Sequence, residues 1–263
     1  MRNAIKLLCI VAIVSLTFAS CSTDSDGNQS KLLKRLVEVS NDGSSTETVF
    51  TYDGNKIISS NSDAKTTEFT YTNNLITTIV EVDNATLVQN KLDYTYDNNQ
   101  LVKVVSSTNY EMHYSHNANG TVTYEKTTKD SANNEVKLYH GVLYFQNGNL
   151  TKDERTFDDT AANVNSTQKV TYQYDSKSNP LVNILGFNKL LDQSATMSAN
   201  NIAAINKAST VIYTDTDQII SSNDLYESAF KYDADNYPSE IVSEKPLFGT
   251  ENSNHLKTQF FYN

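Results

Sequence analysis

Of the two cysteines in this chain, Cys9 lies inside an apolar leader and Cys21 directly behind it, so the mature protein keeps no free thiol for a disulfide or a thiolate nucleophile. Stability then has to come from packing and backbone ladders alone. Tryptophan is missing altogether, and no Gly-x-Ser-x-Gly elbow occurs. The four histidines do not sit near a serine they could activate, which leaves nucleophilic catalysis without parts. Acidic pairs such as Asp153-Glu154, Asp158-Asp159, Asp215/Asp217 and Asp233/Asp235 lack the twelve-residue loop and closing acid of a calcium site. His113 and His116 fall on opposite faces of a strand, and Glu111 with His113 has no visible third ligand, so no metal or other cofactor is expected. Cations are also scarce. Of 21 Lys and Arg residues, Arg2 and Lys6 leave with the leader, so 19 face 31 acids and the formal charge moves from −10 to −12. Such a balance repels nucleic acid.

The long apolar run is confined to the start. Arg2 and Lys6 precede Leu7 to Leu16, and Thr17-Phe18-Ala19-Ser20-Cys21 follows as a small-residue cleavage site. That run is too short for a spanning helix. Residues 1–20 therefore read as an export signal and residues 21–30, polar and glycine-containing, as a flexible tether. Residues 31–263 read as one domain. An ordinary signal peptide cut near Ala19 is the alternative.

What is abundant is tyrosine, 16 residues of it, placed in a recurring unit. In LDYTYDNNQLVKVV, a turn at Asn98-Asn99 sets Asp97 against Gln100 and Tyr96 against Leu101. The same arithmetic pairs Tyr52 with Ile57, Tyr71 with Ile76, and Phe145 with Leu150 across Asn147-Gly148. Asn and Gly tolerate the positive φ that tight hairpins require. The anchoring aromatics Tyr52, Tyr71, Tyr96, Tyr114, Phe145, Tyr174, Tyr213, Tyr232 and Tyr262 are spaced unevenly, which excludes a regular solenoid and leaves an antiparallel meander of about 16 to 18 strands. A sheet that wide cannot stay open with both faces wet, so it should curl into an all-β, barrel-like sheet with the aromatics inside. Strict alternation puts Phe50, Tyr52, Ile57, Phe69, Tyr71, Ile76, Val80, Tyr94, Tyr96 and Leu101 on the inner face, and Thr51, Ile58, Thr70, Leu75, Ile79, Thr95, Val102 and Val104 on the outer one. Asp215-Thr216-Asp217 suits a three-residue loop. One region, residues 181–208, breaks the pattern; its Leu181, Ile184, Leu185, Phe187, Leu190 and Leu191 favour a plug inside the sheet over a binding lid.

These motifs carry a resemblance. Phe18-Ala19-Ser20-Cys21 resembles the lipobox of bacterial lipoproteins, which implies acylation of Cys21 and a lipid anchor. Asp24 and Asp26 resemble the acidic export signal of Bacteroidota surface lipoproteins, or else belong to a plain solvated linker. Tyr52-Asp53-Gly54-Asn55-Lys56-Ile57, Tyr96-Asp97-Asn98-Asn99-Gln100-Leu101 and Tyr232-Asp233-Ala234-Asp235-Asn236-Tyr237-Pro238 look like tyrosine-aspartate (Rhs-type) repeats. Tyr174-Asp175-Ser176-Lys177-Ser178-Asn179-Pro180 with Asn183-Ile184-Leu185-Gly186-Phe187 and Ser198-Ala199-Asn200-Asn201 is similar to a family of Bacteroidota lipoproteins with a porin-like fold. Tyr71-Thr72 and Phe145-Gln146 depart from the repeat by lacking the aspartate. Asp130-Ser131-Ala132 and Asp159-Thr160-Ala161 resemble the O-glycosylation acceptor pattern of the same bacteria, which implies modification of Ser131 and Thr160. The combined expectation is an outer-membrane, lipid-anchored protein, on the periplasmic or cell-surface side. It would have a non-enzymatic binding or structural role toward a glycan or protein ligand, with a glycan-processing enzyme as the alternative and no catalytic residue assigned. An integral porin is disfavoured, because the short strands carry Lys, Glu and Thr on the outer face.

Overall fold

The computed structural model describes residues 31–193, 196–243 and 255–263. The leader at 1–20, Cys21 and the tether at 21–30 lie outside the described residues. Sixteen antiparallel strands run in sequence order around a closed barrel, with β1 (Leu33–Ser40) pairing β16 (His255–Tyr262) to complete it. The order is β2 (Ser45–Asp53), β3 (Lys56–Ser62), β4 (Lys65–Thr72), β5 (Leu75–Asp83), β6 (Gln89–Asp97), β7 (Gln100–Ser106), β8 (Tyr110–His116) and β9 (Val122–Lys129). It continues through β10 (Glu135–Gln146), β11 (Asn149–Phe157), β12 (Val164–Ser178), β13 (Asn200–Tyr213), β14 (Gln218–Tyr232) and β15 (Pro238–Ser243). The curled meander expected from the hairpin repeats is the observed fold.

The hairpin pairings follow the residues. Tyr52 faces Ile57, Tyr71 faces Ile76, Tyr96 faces Leu101 and Phe145 faces Leu150. Asn73, Asn98, Asn99 and Asn147 take positive φ in their turns, between 48° and 61°. Directly behind each of these pairs the register shifts by one residue, because a β-bulge leaves Ile58, Thr77, Val102 or Thr151 opposite no partner. The same shift follows Tyr232 and Pro238.

These bulges correct the strict alternation. Ile79 and Val104, expected outside, are 4% and 0% exposed in the core, because the extra residue returns the third position after Ile76 and Leu101 to the inner face, and the same shift turns Val80, expected inside, away from the core. Ile58 stays outside, as expected. Two further expectations need amending. Tyr213 faces Gln218 across a four-residue loop, not three, and lies at the end of β13 away from the core. Residues from Asn200 onward belong to β13, so the irregular segment is shorter than 181–208.

Repeat tyrosines add a second ladder around the wall. Most reach an inner residue of the preceding hairpin, whereas the Tyr232 hydroxyl donates to the Asp175 carboxylate. The Tyr52 hydroxyl donates to the Leu33 carbonyl (2.7 Å), Tyr96 to Ile76 (2.8 Å), Tyr174 to Leu150 (2.6 Å) and Tyr262 to Pro238 (2.8 Å). The Ile57 amide donates to the Tyr71 hydroxyl, which in turn donates to the Leu185 carbonyl. At the remaining place the expected anchor was Tyr114, but His116 fills it, with Nε2 at 2.9 Å from the Leu101 carbonyl oxygen. A tyrosine there would bury its ring and satisfy its hydroxyl at once, which is why this residue type recurs.

The segment between β12 and β13 closes one end. Leu181, Ile184, Phe187, Leu190, Leu191 and Met197 are buried in the same core as the strand residues. It holds two 3-10 turns, Phe187–Lys189 and Leu191–Gln193, and no longer helix among the described residues. Hairpin turns hold it in place: the Leu185 amide donates to the Asn55 carbonyl and the Ala199 amide to Gly148. Gly186 has φ +75°, and a Cβ there would stand 2.8 Å from the Asn74 carbonyl oxygen, so the plug can seat only with glycine at this point. The segment is a plug packed on the inner face, not a lid.

Candidate functional site: a tyrosine-walled pocket in the lumen

Between the plug and the wall from β8 to β11, a cavity of about 230 Å3 remains inside the barrel. Its wall is made by period-two side chains: Tyr110, Met112 and Tyr114 on β8, Tyr124 and Lys126 on β9, Tyr139 and Leu143 on β10, Asp153 and Arg155 on β11. Register brings them together, since Tyr114 faces Tyr124, Met112 faces Lys126, and Lys126 faces Tyr139. Tyr114, Tyr124, Tyr139 and Phe157 form a row of tilted or edge-on rings 6.1 to 6.3 Å apart.

Gly141 opens this wall. It lies between Tyr124 and Arg155 in the ladder, and a Cβ would meet the Glu154 carbonyl at 2.3 Å and the Tyr124 hydroxyl at 2.6 Å. The missing side chain lets Tyr124 lie flat against β10 and donate to Asp153 Oδ1 at 2.5 Å. Arg155 closes the triangle, with Nε donating to the Tyr124 hydroxyl (3.0 Å) and Nη2 to Asp153 Oδ2 (3.0 Å). Both oxygens of Asp153 are thus occupied. Burial first, then the Asp153 carboxylate, raises the Tyr124 hydroxyl well above the ordinary phenol range, so it stays protonated.

The plug supplies the floor. Asp192 accepts from the Tyr94 hydroxyl (2.8 Å) and from the Gln193 amide (3.2 Å) on Oδ2, while its Oδ1 is shut off from solvent without a hydrogen-bond partner. Burial pushes this carboxyl above the usual carboxylate range. The buried Tyr114 hydroxyl is the second orphan polar atom bordering the pocket. Lys126 lies 3.8 Å above the Tyr110 ring centroid and 5.8 Å from that of Tyr139, and it makes no ion pair among the described residues. Burial, then the neighbouring Arg155, lowers its pKa.

Of the site residues expected from the sequence, Ser131 and Thr160 lie away from this pocket and Cys21 falls outside the described residues. Ser131 sits in the exposed turn between β9 and β10, where Asp130 Oδ1 accepts the Ala132 and Asn134 amides. Thr160 lies in the β11–β12 connection with its hydroxyl donating to the Val164 carbonyl (2.8 Å). Glu111 pairs with Lys103 and His113 on the outer face, away from the lumen. Among the described residues no three His, Cys, Asp or Glu side chains cluster as metal ligands would. Sequence reading missed the pocket, although Tyr-x-Met-x-Tyr on β8, Tyr-x-Lys on β9 and Asp-x-Arg on β11 were a visible period-two signal.

No protein-family model matches this chain, and no curated protein matches it. Among solved structures it is similar to a porin-like protein from Bacteroides uniformis, with 11% identity and a TM-score of 0.47 over 88% of this chain and 96% of that one.

Proposed function

We propose that this chain is a lipid-anchored outer-membrane protein with a non-enzymatic binding role, whose ligand enters the barrel lumen. The observation that carries it is the pocket itself: aromatic walls, a few converging polar groups and two orphan polar atoms, between the barrel wall and the plug. The plug and the polar wall argue against conduction. Outward positions carry Arg35–Glu47, Lys91–Asp93, Lys103–Glu111, Lys137–Glu125 and Lys152–Glu154 ion pairs where a spanning barrel needs an apolar band. Attachment is then left to acylated Cys21, and glycans on Ser131 and Thr160 would project from exposed connections.

A glycan-processing enzyme is the second reading, and the raised carboxyl of Asp192 favours it as a general acid. Its partner is the difficulty. Asp153 has both oxygens tied to Tyr124 and Arg155, and Glu81, the third carboxylate on the lining, is paired with Lys65, so neither stands free as the partner a hydrolytic pair needs. The test is a screen of the full-length protein in detergent against glycans and peptides, with hydrolysis followed in the same wells. Saturable binding without turnover is expected; turnover abolished by Asp192→Asn would overturn the binding role. For the anchor, Cys21→Ser is expected to release the protein from washed outer membranes, and retention of that variant would sink the lipid assignment. Intact mass of native protein reports the glycans; a mass equal to the acylated chain alone excludes them.

A further inference from the structure

The pocket holds a charge arrangement that its own residues leave open. Lys126 and Arg155 both lie against one ring, at 5.8 and 4.3 Å from the Tyr139 centroid, in a chain whose formal charge is −10. Arg155 is neutralised by Asp153. Glu81, also on the lining, is paired with Lys65. Lys126 has no carboxylate partner among the described residues, and Arg155 Nη1 makes no hydrogen bond there. Two like charges beside one aromatic ring repel each other, and the wall offers a single uncompensated positive charge. The tyrosine faces that could cage a cationic ligand are already covered from within, Tyr110 by Lys126 and Tyr139 by Arg155. A monoanion is therefore the complement that remains.

Resting on the lumenal binding role above, we propose that the pocket takes a small hydroxylated organic carboxylate of the sugar-acid type, its carboxylate seated between Lys126 and Arg155. A cavity of about 230 Å3 is smaller than the range of about 300–1,000 Å3 common for drug-sized ligands, which sets the scale at one ring or less. Asn90 and Gln193 on the lining, with the orphan Tyr114 hydroxyl, suit a body rich in hydroxyls better than a bare hydrocarbon. One uncompensated cation suits a carboxylate better than a phosphate dianion.

Isothermal titration of the full-length protein in detergent with D-glucuronate, D-glucose and inorganic phosphate tests this. Glucuronate is expected to bind about tenfold or more tightly than glucose. Lys126→Met should remove the preference for glucuronate over glucose, and Lys126→Arg should restore it; a melting curve for each variant reports folding. Equal affinity for glucose and glucuronate overturns the anion preference while leaving lumenal binding intact. Tighter binding of phosphate than of glucuronate overturns the carboxylate. Silence with all three overturns the sugar acid, and the wider screen then decides the binding role separately.

Discussion

The wall from β2 to β7 and the wall from β12 to β14 are built from equally β-rich sequence, yet they end differently. The first has strands of seven to nine residues, a bulge behind each repeat turn, and inner residues packed on the plug. The second has strands of 15, 14 and 15 residues, and β13 pairs with β14 over ten positions without a register shift. Its far end, opposite the plug, stands clear of the core, with Ile219, Ile220 and Leu225 more than half exposed. Bulges bend and twist a strand, so a wall that has them turns inward and ends on its core. In the second wall the register shifts of β12–β13 are confined to the plug end, between Gln173 and Ser178, and the unbroken β13–β14 ladder runs on past the core.

Deleting one residue should break this comparison most severely. Removal of Thr95 from β6, where no residue is spare, turns the buried Tyr94 and Leu92 outward behind Tyr96; we expect a loss above about 4 kcal/mol and no cooperative thermal transition, whereas removal of the bulged Val102, which leaves Leu101 and Val104 both inside by plain alternation, or of Thr216 from the far loop should leave the transition in place. Next, Tyr96→Ala should cost about 3 kcal/mol in denaturant unfolding, since ring packing and the bond to the Ile76 carbonyl both go, while Leu225→Ala on the projecting wall should stay within about 0.5 kcal/mol. Equal costs would mean that the two walls are packed alike.

The third effect runs the other way. Asp192 has a native pKa above its unfolded one, so native protein holds a proton that the unfolded chain has already lost, and stability falls as pH rises through that window. Asp192→Asn should therefore be more stable than the parent by about 1–3 kcal/mol at pH 8, with the difference closing below about pH 4. A gap that is the same at both pH values would show that the carboxyl is not buried in solution. Smallest of all, Tyr96→Phe should cost about 1 kcal/mol, the net worth of one hydrogen bond, and should leave the barrel closed as judged by circular dichroism.

How far the sequence could be read depended on the range of the interaction. Tyr96 opposite Leu101 is a local fact, set by a two-residue turn, and it was legible. The bulge at Val102 was not, because nothing in Leu101-Val102-Lys103-Val104 distinguishes a bulge from plain alternation; the choice is made by the core, which takes both Leu101 and Val104. Plug residues such as Leu190 announced burial by composition, but not where their strand began. The pocket was least legible, since Tyr94, Lys126, Arg155 and Asp192 come from three strands and the plug, and only the registers bring them together.

The plug is made late. Its Asn183 side chain donates to the Lys31 carbonyl across 152 positions, and the Leu32 amide reaches the Asn263 side chain across 231. Neighbouring hairpins can form quickly from local contacts, but seating the floor and joining the first strand to the last must wait for the distant parts of the chain. During synthesis, the residues of twelve strands emerge before their floor does, with Ile57, Ile76 and Leu101 lacking the packing that fills the interior. That interval is when the molecule is most open to aggregation, and its rate-limiting step should be closure of the ring over the plug rather than formation of any one hairpin.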